Sequence, residues 1–595
     1  MHLLLTSGLL VISPIICHII FYQVKSFGAV IVLLTCLLSL GASLLQSTSR
    51  FQFNLLDAVI TLFGSWFFLS IFWATNQSEA IINACINGAV VVSYFCFRIT
   101  NNQLSQQKFK LIDAICWLAL ALAIFFVAEG IYWLIKLVVE IGFFTNLTYG
   151  ASLLLVHKNT YSNFLLLLSP FLIYGITANR FNKQAKLIAL ITLVLITIII
   201  IIYQSRTALM TLTILYAIYF WFSAMPLKRK LLMGLSVILI VIIALIVSSK
   251  ALGINLSTFF EKLNLTSSTA NSTFYERLAL WNRTSELSSQ NFLFGVGAGN
   301  WIIMLPTVGL FGIKTVTENN VLLTHPHNDF IWILSELGLI GLTIFLSLFA
   351  IAFQACKTMF TKTSNRHIVT LILSFSICYL FISCFTSPHN LLFLKLLLML
   401  ILAHVQLNWP PLFKTKPKTL ITLTIISSAI MFFPLISNSK GHFSMQNMQA
   451  LKQKKDWQGI YNLINENENI FFNTSNNGVP IRFYKANAAQ KKGEISLAIN
   501  LLKKSLKTHP NNLSVLLKLG NIHKNQQLYT LAKQYYETAL KVNPQNKFLA
   551  LQLSNVLIEL KDYKNAKNWL QGINNTNKRK QKLLEKIKEL EKPQH

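Results

Sequence analysis

The sequence predicts an all-α protein: a polytopic membrane helix bundle of about 12 to 13 spans with a large outer loop, followed by an α-helical repeat tail. Composition is the first indication, because 53% of the 595 residues are hydrophobic and only 12% are charged, against about 25% in ordinary soluble proteins. Apolar runs of about 20 residues recur as far as residue 437, and each is long enough to cross a bilayer core of ~30 Å. From about residue 445 the composition changes to Lys, Asn, Gln and Glu with helical periodicity.

The apolar runs divide into thirteen candidate spans. They are residues 3–22, 28–46, 55–75, 80–97, 111–138, 161–178, 186–204, 207–224, 230–248, 329–354, 366–385, 388–408 and 418–437. The N-terminal run lacks a basic segment before it and a small-residue cleavage site after it. We therefore expect a first span there and not a removable signal.

Positive charge alternates between the loops and predicts the orientation. The loops after every second span carry three basic residues each: Arg98, Lys108 and Lys110; Arg180, Lys183 and Lys186; Lys228, Arg229 and Lys230; Lys357, Lys362 and Arg366; Lys414, Lys416 and Lys418. The positive-inside rule places these loops in the cytoplasm. The large loop, residues 249–328, and everything after residue 437 then lie outside.

The formal net charge of +31 does not indicate a nucleic-acid-binding protein, because the basic residues lie in short loops or are spread along the tail helices. We expect the tail charges to form a solvated face or to meet anionic lipid headgroups. The eight cysteines lie in or beside the spans, with neither zinc-site nor disulfide spacing, and are interpreted as packing residues.

The tail has a period of 34 residues, the distance between Pro510 and Pro544 and between Ala532 and Ala566. Its middle copy matches the tetratricopeptide pattern at Leu519, Gly520, His523, Ala532, Tyr536, Ala539 and Pro544. A degenerate copy, residues 456–464, is expected before it. Such repeats form a superhelix with a concave binding surface and no chemistry of its own. The predicted domains are therefore a membrane domain, residues 1–437, and a repeat domain, residues 438–595.

Two arginines are candidates for binding an anion. Arg206 lies between two apolar runs, at the outer end of a span, where a charge is costly. It either snorkels to the headgroup region or clamps an anion, since a guanidinium matches phosphate oxygens in a fork. Arg277 lies on a predicted amphipathic helix, residues 274–287, with Leu278 and Trp281 on the apolar side. Taken alone, Arg277 is an ordinary surface arginine.

A glycine-rich segment, residues 295–299, resembles a phosphate-binding loop only superficially, because no strand precedes it and no lysine follows it. It predicts a tight turn that brings the outer loop back to the membrane.

The cluster His325-Pro326-His327-Asn328-Asp329 lies directly before the tenth span. Two histidines at this spacing suit a metal, but no third ligand is close in sequence. A histidine at the rim of a membrane cavity is also a natural general base near neutral pH. Because carboxylates inside a span are costly, Asp329 and Glu336 are expected to face a cavity or other helices and not lipid.

Taken together, these features resemble the O-antigen ligase and polymerase superfamily of bacterial membrane glycosyltransferases. The resemblance covers the chain from Arg206 to Gly341. It comprises a Ser-Arg at the outer end of a span, an Arg-x-x-x-Trp helix, a Gly-Val-Gly-x-Gly turn, a His-x-His-Asn-Asp cluster and a Glu-x-Gly-x-x-Gly span.

The resemblance implies a multi-pass protein of the bacterial inner membrane with its large loop and tail in the periplasm. Members transfer a glycan from undecaprenyl diphosphate to an acceptor hydroxyl without nucleotide sugar or metal, so no cofactor is expected. By this resemblance Arg206 and Arg277 hold the diphosphate and stabilise its growing charge. One histidine orients or deprotonates the acceptor hydroxyl, and the family motif favours His325 over His327. His327 and Asn328 join the arginines as substrate-binding residues, with Asn328 supporting the loop.

The tail departs from the pattern of core lipopolysaccharide ligases and suggests recognition of a protein, either an acceptor or a member of an assembly complex. The alternatives within the superfamily are an O-antigen or exopolysaccharide polymerase and a protein O-oligosaccharyltransferase. A transporter is less favoured, because neither internal hydropathy repeats nor broken helices are evident and the polar residues cluster at one membrane face. A non-catalytic scaffold that works through its tail is the third possibility.

Overall fold

A computed structural model describes residues 24–44, 50–106, 111–141, 157–223, 268–313, 325–361, 366–405, 409–573 and 577–591, with scattered positions before residue 20 and between residues 226 and 242. The elements up to residue 453 are α1 (Lys25–Leu44), β1 (Phe51–Phe53), α2 (Leu55–Leu69), α3 (Gln77–Gln106), α4 (Leu111–Ile141), α5 (Lys158–Thr177), α6 (Lys183–Ile202), α7 (Arg206–Phe222), α8 (Ser268–Gln290), α9 (Trp301–Met304), α10 (Asp329–Phe360), α11 (Arg366–Phe385), α12 (Leu392–Ala403), β2 (Phe413–Thr415) and α13 (Pro417–Gln453).

Eight of the described helices are long and apolar enough to cross a membrane, and three shorter apolar helices accompany them. These eleven helices correspond to eleven of the thirteen predicted spans. The other two spans, residues 3–22 and 230–248, lie largely outside the described residues. The structure therefore confirms an all-α, multi-pass membrane protein.

Helix α5 lies at the centre of the bundle, since every residue from Tyr161 to Gly175 is buried. One small sheet interrupts the all-α pattern, because β1 pairs antiparallel with β2, with Gln52 opposite Lys414. It joins two loops at the end of the bundle that the loop charges predict to be cytoplasmic. Helix α2 begins there with a capping box, in which Asn54 and Asp57 each accept the other's backbone N–H.

Helix α10 is broken at Gly338, whose φ of 69° lies in the left-handed region. The predicted span, residues 329–354, lies within α10, but no broken helix was evident in the sequence, and the break is a correction to that expectation. A side chain at Gly338 is excluded, because its Cβ would lie 2.1 Å from the carbonyl oxygen of Leu293. The break therefore accommodates the outer loop against the spanning helix.

The tail continues as helix pairs. Its helices are α14 (Trp457–Asn467), α15 (Ile481–Lys491), α16 (Ile495–Thr508), α17 (Leu513–Asn525), α18 (Tyr529–Val542), α19 (Lys547–Glu559), α20 (Tyr563–Gln571) and α21 (Lys578–Leu590). In the middle repeat a Cβ at Gly520 would lie 2.6 Å from the Tyr536 ring, so glycine is what allows α17 and α18 to cross closely. Helix α13 passes through the predicted domain boundary at residue 437 without ending.

The tail is packed against the outer loop. Leu280, Trp301 and Leu310 share one buried apolar cluster with tail residues such as Tyr536 and Leu553. The backbone N–H of Leu310 also donates to the carbonyl of Val542, with an N···O distance of 2.7 Å. The large loop and the tail thus lie on the same side of the bundle, as the span count predicted.

Candidate active site

Arg206 is the first residue of α7, at the reversal between two spanning helices. Gln204 makes this tight reversal in the left-handed region, with φ 52°. Helix α7 presents its N-terminus here, and the Ser205 hydroxyl at its N-cap is buried with no hydrogen-bond partner in the described part of the chain. A helix N-terminus with free backbone N–H groups favours an anion. Arg206 and this helix end therefore supply positive potential to the same place.

Arg277 lies on α8, close enough to Arg206 for their charges to interact. Its Nη1 donates to the carbonyl of Phe385, at the end of α11, over 3.2 Å. Burial lowers the pKa of Arg277, and the positive charge of the nearby Arg206 lowers it further. No ion pair involving either arginine is found among the described residues. The two positive charges repel each other, and an anion bound near both would relieve that repulsion.

The histidine loop lies within electrostatic range of Arg277 and is tied to the helix that bears it. Trp281, one turn along α8, donates from Nε1 to the carbonyl of Pro326 over 2.8 Å. Asn328 caps α10, where its Oδ1 accepts the N–H groups of Phe330 at 3.0 Å and Ile331 at 3.1 Å. Asn328 therefore fixes the end of the loop, in agreement with its predicted supporting position.

His325 and His327 contact each other edge to face, with ring centroids 4.5 Å apart. His327 has a φ of 58°, so the backbone turns sharply between the two rings. Burial lowers the pKa of His325 well below its usual value, and the charges of His327, Lys25, Arg277 and His157 add to this. Burial also lowers the pKa of His327 to about 4, with Arg277 and His157 as further causes. Both rings are neutral at pH 7 and can accept a proton.

Three residues near the histidines were missed in the sequence. His157 caps α5, its Nδ1 accepting the N–H of Asn159 over 3.2 Å, and it is close enough to lower the pKa of both loop histidines. Lys25 donates to Asn390 Oδ1, and Asn390 Nδ2 lies 3.5 Å from His325 Nδ1. Each is a single polar residue at the edge of an apolar helix, and that position is the only sequence signal they carry.

The two carboxylates of the tenth span have structural partners. Asp329 Oδ2 accepts Ser383 Oγ at 3.1 Å and the N–H of His389 at 2.9 Å, which ties α10 to the connection between α11 and α12. Both Asp329 and Glu336 are buried, so the expectation that they avoid lipid is confirmed. In the part of the chain that is described, no group of three His, Cys, Asp or Glu residues is arranged to hold a metal ion.

The glycine-rich segment is the predicted turn. Gly299 N–H donates to Glu336 Oε2 over 2.8 Å, and Gly297 N–H donates to the Glu336 carbonyl over 2.9 Å. Gly295, with φ 73°, passes so close to α10 that a Cβ would lie 2.4 Å from the Glu336 backbone. The N–H groups that a phosphate loop would offer to a ligand are used here to attach the outer loop to the break in α10.

The comparisons with known proteins agree with this arrangement. A family model described as O-antigen ligase matches residues 191–346, and a tetratricopeptide repeat model matches residues 513–546. The first range contains both arginines and both histidines of the loop. Among curated proteins, no match is found. The matches confirm the predicted resemblance and indicate a membrane enzyme that transfers glycosyl groups and whose tail interacts with protein.

Proposed function

We propose that this chain, which carries an O-antigen ligase domain, transfers a glycan from an undecaprenyl-diphosphate-linked donor to an acceptor hydroxyl at the periplasmic face of the bacterial inner membrane. One observation carries the proposal. Arg206 and Arg277, which pair with no carboxylate among the described residues, are close enough for their charges to interact, and the charge of Arg277 also reaches the half-buried, neutral His325. An anion site next to a general base is what glycosyl transfer from a diphosphate requires.

On the donor side, Arg206 and Arg277 bind the diphosphate. The bond between the anomeric carbon and the diphosphate oxygen breaks with both electrons going to that oxygen, so negative charge grows on the leaving group. Two guanidinium groups at a half-buried position stabilise that charge more strongly than water does, because they are already oriented. Their mutual repulsion in the free enzyme is relieved in the same step.

On the acceptor side, His325 accepts the hydroxyl proton while the acceptor oxygen forms its bond to the anomeric carbon. The neutral state of His325 at pH 7 supports this assignment. His327 packs against His325 and Asn328 fixes the loop, so both position the base and line the acceptor side. The reaction balances without a metal ion, since the proton goes to His325 and the electron pair to the diphosphate.

The membrane side is inferred from the loop charges. The arginine–histidine site and the tail lie at the end opposite to the basic loops, and the positive-inside rule assigns those loops to the cytoplasm. A lipid diphosphate lies at the headgroup level of the outer face, where Arg206 begins its helix.

The test uses the purified protein in lipid nanodiscs with a radiolabelled undecaprenyl-diphosphate glycan and candidate acceptors. Arg206→Ala, Arg277→Ala and His325→Ala are each expected to lower transfer by about 10²–10³-fold. Arg50→Ala is the control, because Arg50 is exposed and lies at the opposite end of the bundle. Wild-type rates in all three site variants would refute the proposal.

Glycan profiling of a deletion strain then identifies the type of product. Accumulated long chains on the carrier lipid indicate a ligase. Single repeats on the acceptor indicate a polymerase, and unmodified protein acceptors indicate a protein O-oligosaccharyltransferase.

A further inference from the structure

Three consecutive large apolar residues lie exposed in the turn that follows α8. The side chains of Phe292, Leu293 and Phe294 are 49%, 53% and 49% exposed. Single exposed apolar residues are ordinary, but a contiguous exposed apolar patch marks a surface that meets a partner or a membrane. We call residues 291–294 the apolar turn.

The apolar turn is attached to α10 at the break. The N–H of Leu339 donates to the Phe292 carbonyl over 2.8 Å, and the N–H of Ile340 donates to the Leu293 carbonyl over 3.4 Å. The part of α10 after the break, residues 339–360, is about 33 Å long. This length matches a bilayer core of ~30 Å. A span that begins at the break therefore leaves the apolar turn at the outer edge of the hydrocarbon.

Helix α2 gives the same level independently. The candidate span that contains it, Leu55–Phe72, has 18 residues and is about 27 Å long. This span ends beside the apolar turn, because Trp73 Nε1 donates to the Phe294 carbonyl over 3.1 Å. Trp66 stacks on the Phe294 ring, with centroids 6.0 Å apart. Tryptophans near the end of a span are typical of the membrane–water interface.

The backbone of the apolar turn is suited to surroundings without water. All four carbonyl oxygens of residues 291–294 accept a hydrogen bond, from the N–H of Gly295, the two N–H groups of α10 and Nε1 of Trp73. The sequence from residue 291 to 301 contains no charged side chain. A carbonyl without a donor is costly in hydrocarbon, and so is a charge. The apolar turn avoids both costs.

The apolar turn also continues the exposed apolar faces of the two spans that it touches. Leu62 and Leu69 on α2 are exposed and lie seven residues apart, and the same holds for Leu339 and Leu346 on α10. Residues at this spacing share one face of a helix. In a spanning helix such a face meets lipid acyl chains, so the surface that the apolar turn extends is the lipid-facing surface of the bundle.

We propose that the apolar turn inserts into the outer leaflet of the membrane, where its three apolar side chains contact lipid acyl chains close to the headgroups. The outer loop then rests on the bilayer through a segment that is not itself a span. The contact anchors the C-terminal end of α8, the helix that bears Arg277, at a fixed depth. Lipid is favoured over a second protein, because a protein that covered the apolar turn at this level would itself lie within the membrane.

The test places a nitroxide spin label on the Leu293→Cys variant of the full-length protein in proteoliposomes. Power saturation then measures collisions of the label with oxygen, which enters lipid, and with nickel ethylenediaminediacetate, which stays in water. The Leu528→Cys variant is the matched control, because Leu528 lies in the tail and is 46% exposed. We expect the nickel complex to reach position 293 at least about tenfold less than position 528, since polar solutes are excluded from hydrocarbon.

A label on the Leu346→Cys variant gives the reference for lipid, and oxygen should reach positions 293 and 346 alike. The unmutated protein, whose eight cysteines are buried or half-buried, gives the background. Phe292→Cys provides a second variant of the apolar turn if Leu293→Cys does not fold.

Depth is measured with a bimane label on the same variant. Lipids brominated near the headgroup should quench it more than lipids brominated near the chain end, because the apolar turn lies at the edge of the core. Equal access of the nickel complex to positions 293 and 528 would overturn the proposal. Exclusion of both oxygen and the nickel complex from position 293 would overturn it too, since protein would then cover the apolar turn. Glycan transfer is not measured, so the result does not depend on the proposed reaction.

Discussion

The two ends of the membrane bundle use arginine in opposite ways. At the end predicted to be cytoplasmic, Arg98 Nε lies 3.2 Å from Asp57 Oδ1 and Arg98 Nη2 lies 3.3 Å from Asp57 Oδ2. The Tyr94 hydroxyl donates to the same carboxylate over 2.7 Å. At the other end the charges of Arg206 and Arg277 act on each other, and no carboxylate among the described residues pairs with either.

This difference distinguishes an arginine that supports the fold from one that is kept for a ligand. A buried ion pair whose hydrogen bonds are satisfied needs no ligand to balance its charge. Two guanidinium groups that repel each other have their charge balanced only when an anion is bound, so the protein holds them in place at some cost to its own stability. The carboxylates that are available near the site, Asp329 and Glu336, accept hydrogen bonds from the scaffold instead.

The largest expected effect is on stability at the end predicted to be cytoplasmic, which we call the closed end because its arginine, Arg98, is paired with Asp57. Asp57→Ala leaves Arg98 as a buried charge without a partner and removes the capping box of α2, so we expect a loss of about 3–5 kcal/mol. Thermal unfolding of the purified protein in detergent measures it. The double variant Asp57→Ala, Arg98→Met should recover part of the loss, because it removes the unpaired charge. An unchanged unfolding temperature in the single variant would show that the ion pair does not support the fold.

The second prediction concerns the shape of the cation at the opposite end, which carries Arg206 and Arg277 and which we call the open end. Arg277→Lys keeps the charge but loses the planar fork, so we expect transfer to fall by about 10–100-fold with an unchanged unfolding temperature. Arg98→Lys, the matched change at the closed end, should leave transfer within about threefold. Steady-state rates with a lipid-linked donor give both values. Full activity of the Arg277→Lys protein would mean that a point charge is sufficient there.

The common side of Arg206, Arg277 and the histidine loop could be predicted from the sequence, because loop charge is a local feature, whereas the Asp57–Arg98 pair was not predicted. Loop charges gave one common side for Arg206, Arg277 and the histidine loop, and the absence of a strand identified residues 295–299 as a turn. In the structure the charge of Arg206 lowers the pKa of Arg277, and the charge of Arg277 lowers the pKa of His325. His157, Lys25 and Asn390 could not be found in this way, because their only connection to the site is packing between helices that are far apart in the chain.

Packing between distant parts of the chain also explains the other structural features that were not predicted from the sequence. The break at Gly338 depends on the approach of Leu293, 45 positions earlier, and a hydropathy pattern contains no trace of that contact. The docking of the tail on the outer loop joins Leu310 to Val542 through a backbone hydrogen bond that no side-chain pattern specifies. The sequence thus predicted that the polar site residues share one side of the membrane. The helix packing that holds them in place depends on contacts between residues far apart in the chain.

The third prediction concerns the stabilisation of the protein by an anion that binds near Arg206 and Arg277. Inorganic pyrophosphate at about ten to thirty times its dissociation constant should stabilise the protein by about 1.4–2 kcal/mol. Thermal unfolding with and without pyrophosphate measures this shift. The double variant Arg206→Ala, Arg277→Ala should lose the shift, while Arg50→Ala keeps it, since Arg50 is exposed at the closed end. An equal shift of the unfolding temperature in both variants would show that pyrophosphate binds away from Arg206 and Arg277.

The smallest expected effect is on the pH dependence of kcat/KM. A histidine with an ordinary pKa of about 6.5 would lose about fourfold in rate between pH 8 and pH 6, because it becomes protonated. Burial and the neighbouring charges lower the pKa of His325 well below that value. The base stays neutral to lower pH, so we expect a loss of less than about twofold over this range. Arg277→Gln removes one of the charges that lower the pKa of His325, and it should move the acidic limb to higher pH. A wild-type limb centred at or above pH 6.5 would exclude His325 as the base.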